Sequence, residues 1–243
     1  MSIATEIQRL QEAKADIKAV IEEKGVEVGN GLIDGYADKV DAVYDKGVSD
    51  GKKSEYDEFW DKYQDNGNRE DYTFAFSGKG WDDNTYNPKY DLNITSAGVV
   101  FQNSLITDTK KAINLNVADS GACATFYAAQ SLERIPELNL QKDIYFAYTA
   151  FQNCKNLIEI NIVGEGKMGC SSTSNTQKTI YFDSTKLNAD SIISIVNALK
   201  DDVTGYTLKF TTAAVNSAFE GGESSDAWKA LKASKPNWTI AIG

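Results

Sequence analysis

Apolar residues in the middle of this chain recur at a fixed interval. Phe126 and Phe151 stand 25 residues apart, as do Leu132 and Leu157, and Ile135 and Ile160; Phe101 lies another 25 residues upstream. Self-similarity at this spacing marks a repeat architecture, in which one unit cannot bury its own apolar side chains and neighbours stack to close a shared core. In each unit a small residue and a Phe are followed six residues on by a Leu, then by a short run alternating apolar and polar: Leu138-Asn139-Leu140 and Ile160-Asn161-Ile162. Alternation with period two predicts a strand. Comparable runs at Leu115-Asn116-Val117, Thr179–Phe182, Thr207–Phe210 and Thr239–Ile242 bring the expected strands to six, one per unit and stacked in parallel.

The period is helical at both ends. Over residues 2–24, Ile3, Ile7, Leu10, Ile17 and Ile21 follow a heptad seam that Lys14 interrupts, which fits either an intramolecular hairpin or a self-associating coiled coil. Gly25 supplies the left-handed stop. A second helix is expected with Ile33, Tyr36, Val40, Val43 and Tyr44 on its apolar face. SEYDEFWDKYQ then resumes helical spacing with Tyr56, Phe59, Trp60 and Tyr63, an aromatic stripe that wants a partner surface. Residues 71–91 scatter Tyr72, Phe74, Phe76, Trp81, Tyr86 and Tyr90 among Asn, Asp and Gly, which predicts turns and short strands rather than a disordered linker.

Towards the C terminus, Asn188 is placed to cap a helix whose Ile192, Ile195, Val196 and Leu199 share one face, between the strands at 179 and 207. A strand, helix, parallel strand unit would bury that face on the sheet. Ser224-Ser225-Asp226 opens a last helix with Pro236 beyond its end, and a closing strand follows, the kind of terminal unit that covers a solenoid's end. Three regions result: residues 1–70, an acidic helical module for anchoring or oligomerisation; 71–91, an aromatic-rich connection; and 92–243, the repeats with a C-terminal cap.

Ala150-Phe151-x-x-Cys154-x-x-Leu157-x-x-Ile160 resembles the repeat of BspA-like leucine-rich repeat proteins, found on bacterial surfaces and in phage virions; Ala128 or Ala129 stands where Cys154 does in the unit before. The resemblance spans about residues 92–210. It implies an α/β fold, an irregular leucine-rich-repeat solenoid with a short-stranded parallel sheet that recognises or presents and does not catalyse, and it places Cys154 towards the core. TEIQRLQEAKADIKAVIEEKGVEV, LIDGYADKVDAV and FWDKYQDNGNREDYTFAF together resemble the opening of structural proteins encoded by phages of gut bacteria, across roughly residues 3–76.

Charge narrows the partners. The net charge is −10. Residues 1–91 hold 21 acidic and 12 basic side chains, residues 92–243 hold 14 and 13, so the acidity belongs to the N-terminal third. An acidic chain without a basic stripe is not expected to bind nucleic acid. No apolar run approaches the roughly 18 residues of a membrane span, and the opening MSIATEIQRLQEAK lacks the apolar core of a secretory signal, so neither a span nor self-export is expected.

The chain has no His, which removes His-based triads and the H-E-x-x-H zinc motif. Cys123, Cys154 and Cys170 form no disulfide framework, and neither Cys123 nor Cys170 has a base nearby in sequence. Gly164, Gly166 and Gly169 spell G-x-G-x-x-G after a strand, with Asp183 about where a ribose-binding acid would stand. Nine polar residues follow in place of the helix that a dinucleotide site needs, so a loop between repeats is expected. Asp61–Asp71 has a calcium-like composition, but with Gly67 as the loop glycine Lys62 and Gln64 fall on the first two ligand positions, which predicts an acidic turn. Asn93-Ile-Thr95 and Asn237-Trp-Thr239 match the glycosylation sequon, and Glu22-Glu23 and Asp201-Asp202 read as surface charge at helix ends. No catalytic, cofactor-binding or metal-binding residue is therefore expected, and no cofactor.

The expectation is a non-enzymatic structural or attachment protein, a phage tail or baseplate part or a prophage-encoded component, made in the bacterial cytoplasm and assembled into a virion. Its partners would be protein: further copies through the N-terminal helices, or other virion or surface proteins. The alternative is a bacterial surface or secreted leucine-rich-repeat adhesin that binds host protein or glycan.

Overall fold

The computed structural model describes residues 3–23, 68–69, 75–88, 90–95, 98–117, 124–171 and 178–243. The expected second helix at Ile33–Tyr44, the aromatic stripe at Tyr56–Tyr63, Tyr72, Phe74, Cys123 and most of the acidic turn at 61–71 lie outside them. The chain forms two compact units, Met1–Phe59 and Trp60–Gly243. In the first, α1 spans Ile3–Glu23. Of its seam, Ile21 is buried, whereas Ile7, Leu10 and Ile17 are exposed.

The second unit is a parallel β-solenoid. Strands β1 (Asn68–Arg69), β2 (Leu92–Ile94), β3 (Ile113–Leu115), β4 (Arg134–Leu140) and β6 (Glu159–Val163) form one parallel sheet in the order β1-β2-β3-β4-β6. β5 (Ile144–Phe146) pairs with β7 (Met168–Cys170), while β8 (Thr179–Phe182), β9 (Tyr206–Phe210) and β10 (Trp238–Ile242) form a third sheet, again all parallel. Each coil thus returns to lie beside the last, as the 25-residue interval demands.

Period-two burial explains the strands. Leu92 and Ile94, Ile113 and Leu115, and Leu138 and Leu140 point inward, with Asn93, Asn114 and Asn139 outward between them. The strand expected at Leu115–Val117 therefore sits two residues earlier. Ile113-Asn-Leu-Asn-Val alternates throughout and suits either choice; Ile113 pairs with Leu138, 25 residues on, so the coil length selects the register.

The interior is organised by one aromatic column. Phe76, Phe101, Phe126, Phe151, Phe182 and Phe210 lie ring over ring, with successive centroids 5.3, 5.6, 5.5, 4.2 and 5.8 Å apart. All six are buried. Trp81 and Tyr86 meet Phe76 edge-on at 5.2 and 5.1 Å, and Trp228 meets Phe210 edge-on at 6.1 Å, so both ends are closed by larger rings. Stacked and edge-on pairs of this kind contribute about 0.5–1.5 kcal/mol each beyond the area they bury. The aromatic segment 71–91 supplies Phe76, Trp81 and Tyr86 to the first coil, and the amide of Phe76 donates to the carbonyl of Val100 at 3.0 Å. The solenoid begins before residue 92.

After each of the first four Phe residues the chain turns through the left-handed region, at Gly78 (φ 92°), Asn103 (56°), Ala128 (56°) and Asn153 (65°). Glycine pays no steric penalty there, and Asn tolerates the conformation. The amides at these turns join the coils: Gly78 donates to Gln102 O at 2.8 Å, Asn103 to Ala128 O at 3.1 Å and Ala128 to Gln152 O at 2.9 Å. At Asn153 the acceptor is instead the carboxylate of Asp183, at 2.8 Å.

Helix α2 (Ala189–Ala198) lies along β6 where another strand would pair. Asn188 caps it, accepting from the Ser191 amide at 2.8 Å, and Ile192, Ile195 and Val196 form its buried face. Its serines replace the missing strand. Ser191 Oγ accepts from the Ile160 amide at 2.9 Å; Ser194 Oγ accepts from Ile162 at 3.3 Å and donates to the Ile160 carbonyl at 3.0 Å. Two further helices follow, α3 (Thr212–Ala218), not foreseen from the sequence, and α4 (Asp226–Ala233), capped by Ser225 and burying Trp228 against the end of the column.

Candidate binding face

The outward side of the coils carries polar rows. Asn114 Nδ2 donates to Asn93 Oδ1, and Asn139 Nδ2 to Asn114 Oδ1, each at 2.8 Å, so in-register strands link their amides into a ladder. Asn139 also donates to Glu137 Oε1 at 2.7 Å. At the strand entrances Arg134 bridges Asp108 at 3.1 Å and Glu159 at 3.0 Å, spanning three coils. The hydrogen bond to Glu159, then attraction to Glu159 and Asp108, holds the guanidinium pKa above its ordinary value. These groups are exposed, and pairs in water stabilise little; their consequence is a fixed pattern of charge.

β6 breaks the rows. The register shifts by one residue between Ile135 and Leu138, and Val163 stands opposite Asn139 where the 25-residue interval would place Gly164; neither continues the amide row. Val163 is 45% exposed. Between the outer side of β6 and α2 runs an open groove of about 480 Å³, lined among others by Asn161, Val163, Glu165, Asp190, Ile193 and Asn197. Val163 from the strand and Ile193 from the helix, the latter 37% exposed, offer apolar contacts. The amides of Asn161 and Asn197 can donate and accept, and the two carboxylates can accept. This set suits an extended peptide or a sugar. Ser194 also lines the groove, but its hydroxyl is engaged with the backbone of β6.

The motifs weighed in the sequence fall elsewhere. Gly164 and Gly166, at φ 132° and 69°, turn the chain from β6 into β7, and Gly169 lies within β7. A Cβ on Gly164 would come within 2.8 Å of Leu140 Cβ, and one on Gly169 within 2.8 Å of the Tyr145 ring, so packing accounts for both. A strand, β7, and not a helix, follows Gly164 and Gly166 and takes in Gly169, so the loop expected across the motif is confined to its first part. Asp183 receives the Asn153 amide, 30 residues back in the chain. Cys154 donates to the Phe126 carbonyl at 2.9 Å; burial, reinforced by Asp183, pushes its thiol far above the ordinary range, which leaves it a packing residue. Cys170 is also buried. The sequon residues are engaged too, Asn93 in the ladder and Asn237 with the Asp201 carbonyl.

Asp201 and Asp202, expected as plain surface charge, accept from lysines that are otherwise enclosed. Lys235, with a side chain 7% exposed, meets Asp201 Oδ1 and Leu199 O at 2.8 Å; Lys200, at 8%, meets Asp143 and Asp202. Burial lowers the Lys200 pKa, but the hydrogen bond to Asp143 and neighbouring charges outweigh it and hold the amine above its ordinary value. Glu22 of the other pair lies 3.7 Å from Lys18.

Sequence reasoning missed the amide ladder, although each Asn sits centrally in an alternating triplet. It missed the groove because the packing of α2 along β6 that borders it brings together residues as far apart in the chain as Asn161 and Asn197, which no local pattern displays. Among the described residues no cluster of His, Cys, Asp or Glu could hold a metal ion, and no helix is long and apolar enough to cross a membrane. No protein family, curated protein or solved structure matches the chain.

Proposed function

We propose that the protein is a non-enzymatic structural or attachment protein, a phage tail or baseplate component or its prophage-encoded counterpart, with a solenoid of leucine-rich-repeat class that presents a binding face to other proteins. The outward side of the coils supports this reading best. Its polar rows are held rigidly by neighbouring coils, and they lead into a groove that mixes exposed aliphatic groups with amides and carboxylates. Rigid, repeated side chains on an extended surface suit recognition, because little freedom remains to be lost on binding. The repeat resemblance fits virions and bacterial surfaces alike, and the N-terminal resemblance to phage structural proteins favours the virion.

A second reading, a bacterial surface or secreted adhesin that takes host protein or glycan, draws on the same groove. Antibodies against the full chain, followed by immunogold microscopy of the cells that make it and of the particles they release, separate the two. Label on tails or baseplates is expected. Label on the cell envelope replaces that reading with the adhesin, and label confined to the cytosol, with none on particles, overturns both.

A further inference from the structure

Two rows of side chains flank the groove beside β6. On the strand side Asn161, Val163 and Glu165 recur at every second residue; on α2 Asp190, Ile193 and Asn197 recur at three and four, the spacing of one helix face. The two elements run the same way. Ser191 meets the Ile160 amide, Ser194 the Ile162 amide, and the Gly166 amide donates to the Asn197 carbonyl at 3.3 Å. Asp190 and Asn161 therefore fall at one end of the groove and Asn197 and Glu165 at the other, with Val163 and Ile193 between them. Each end holds one carboxylate and one amide, and the middle is aliphatic.

The end groups are uncommitted. Among the described residues none of these four side chains makes a hydrogen bond or an ion pair, whereas Asn93, Asn114, Asn139 and Arg134 on the same outward side are all engaged. No basic side chain lines the groove. The lysines nearest in sequence are held elsewhere, Lys167 by the carbonyls of Leu140 and Gln141 at 3.2 and 3.4 Å, and Lys200 by Asp143 and Asp202. A neutral sugar could bond the amides but would leave both carboxylates without a counter-charge. An ammonium or guanidinium group donates to a carboxylate and an amide carbonyl alike, so each end fits a cation.

Spacing sets the rest. Along α2 the two ends lie about 10 Å apart. An extended peptide advances about 13 Å over four residues, and its first, third and fifth side chains share one face. The first and fifth can reach the ends while the third meets the aliphatic middle. The serines already close the edge of β6, so such a segment is read by side chains and is not added as a strand. We propose that the groove takes an extended segment of a partner protein in the order basic, any, apolar, any, basic, its cations on Asp190 and Glu165 and its apolar residue between Val163 and Ile193. This rests on the attachment reading and names the chemistry of the partner.

Fluorescence anisotropy of the full chain with labelled Gly-Arg-Thr-Leu-Thr-Arg-Gly, and with the same peptide carrying Gln for Arg, tests it. The arginine peptide is expected to bind saturably, more weakly as salt is raised, and about tenfold or more tighter than its neutral counterpart. Glu165→Gln and Asp190→Asn are each expected to weaken it about threefold and together about tenfold, with the near-ultraviolet circular dichroism of the solenoid aromatics unchanged. Equal binding of the two peptides, binding of neither, or binding unmoved in the double variant would overturn the proposal. Maltohexaose that displaces the arginine peptide at equal concentration would give the groove to sugar instead. Absent peptide binding with label still on tails or baseplates would remove this ligand and leave the attachment role standing; peptide binding with label confined to the cytosol would do the reverse.

Discussion

Ala128 sits, almost fully buried, at a φ of 56°, where Gly78, Asn103 and Asn153 occupy the equivalent turns of neighbouring coils. A left-handed conformation costs an ordinary residue about 1–2 kcal/mol, which Asn partly escapes and Gly avoids. Ala→Gly in a regular buried segment loses roughly 0.5–1 kcal/mol of chain entropy, plus the packing of one methyl. At Ala128 these terms oppose each other. Urea denaturation of Ala128→Gly is therefore expected to show a stability within about 1 kcal/mol of the natural protein, on either side, while the β-branched Ala128→Val loses about 2 kcal/mol or more. Equal losses in the two variants would mean that the turn is not left-handed. The turn positions were in principle legible in the sequence, each two residues after a Phe, but Gly, Asn, Ala and Asn share no side-chain chemistry. Their common property is a backbone angle, and composition does not display it. Phe76 was legible too, 25 residues before Phe101, but the residues around it keep little else of the repeat. Phe182 and Phe210 escaped because the steps to them, 31 and 28 residues, break the interval.

Where an element ends a sheet, its unpaired backbone groups become a template for another chain. β6 is that edge in the five-stranded sheet, and α2 covers it with Ser191 and Ser194. Removing either hydroxyl leaves a backbone amide without its partner, at a cost of about 1–3 kcal/mol. Ser191→Ala is expected to destabilise more than Ser194→Ala: Ser194 also donates to the Ile160 carbonyl, but Ser191 is fully buried and the Ile160 amide it serves bonds at 2.9 Å against 3.3 Å for Ile162, so its loss leaves the more enclosed orphan. The double variant is expected to scatter light on mild heating, where the natural protein stays clear. A fully stable, clear double variant would show that the serines are not the edge's partners. Helices α2 and α4 could be read from their caps, Asn188 and Ser225, and from their apolar spacing. α3 could not, with Val215 the only large apolar residue in its seven. Strands β5 and β7 are three residues each, too short for alternation to stand out.

At the scale of the whole solenoid, stability follows from coils that cannot stand alone. Each places a Phe between the rings of its neighbours, so the energy of one ring depends on the next and hardly at all on rings further away. The interval of 25 residues made the repeat and its parallel stacking readable. It did not reveal that the strands divide among three sheets: β5 and β7 are too short to read from alternation, and β8, β9 and β10 follow the steps that break the interval. A double-mutant cycle between Phe126 and Phe151, each replaced by Leu and measured by urea denaturation, tests the shared column most directly. The rings lie 5.5 Å apart, and a coupling of about 0.5–1.5 kcal/mol is expected, with Phe76 and Phe151 additive within about 0.5 kcal/mol as a control. Additive losses at Phe126 and Phe151 would contradict the account.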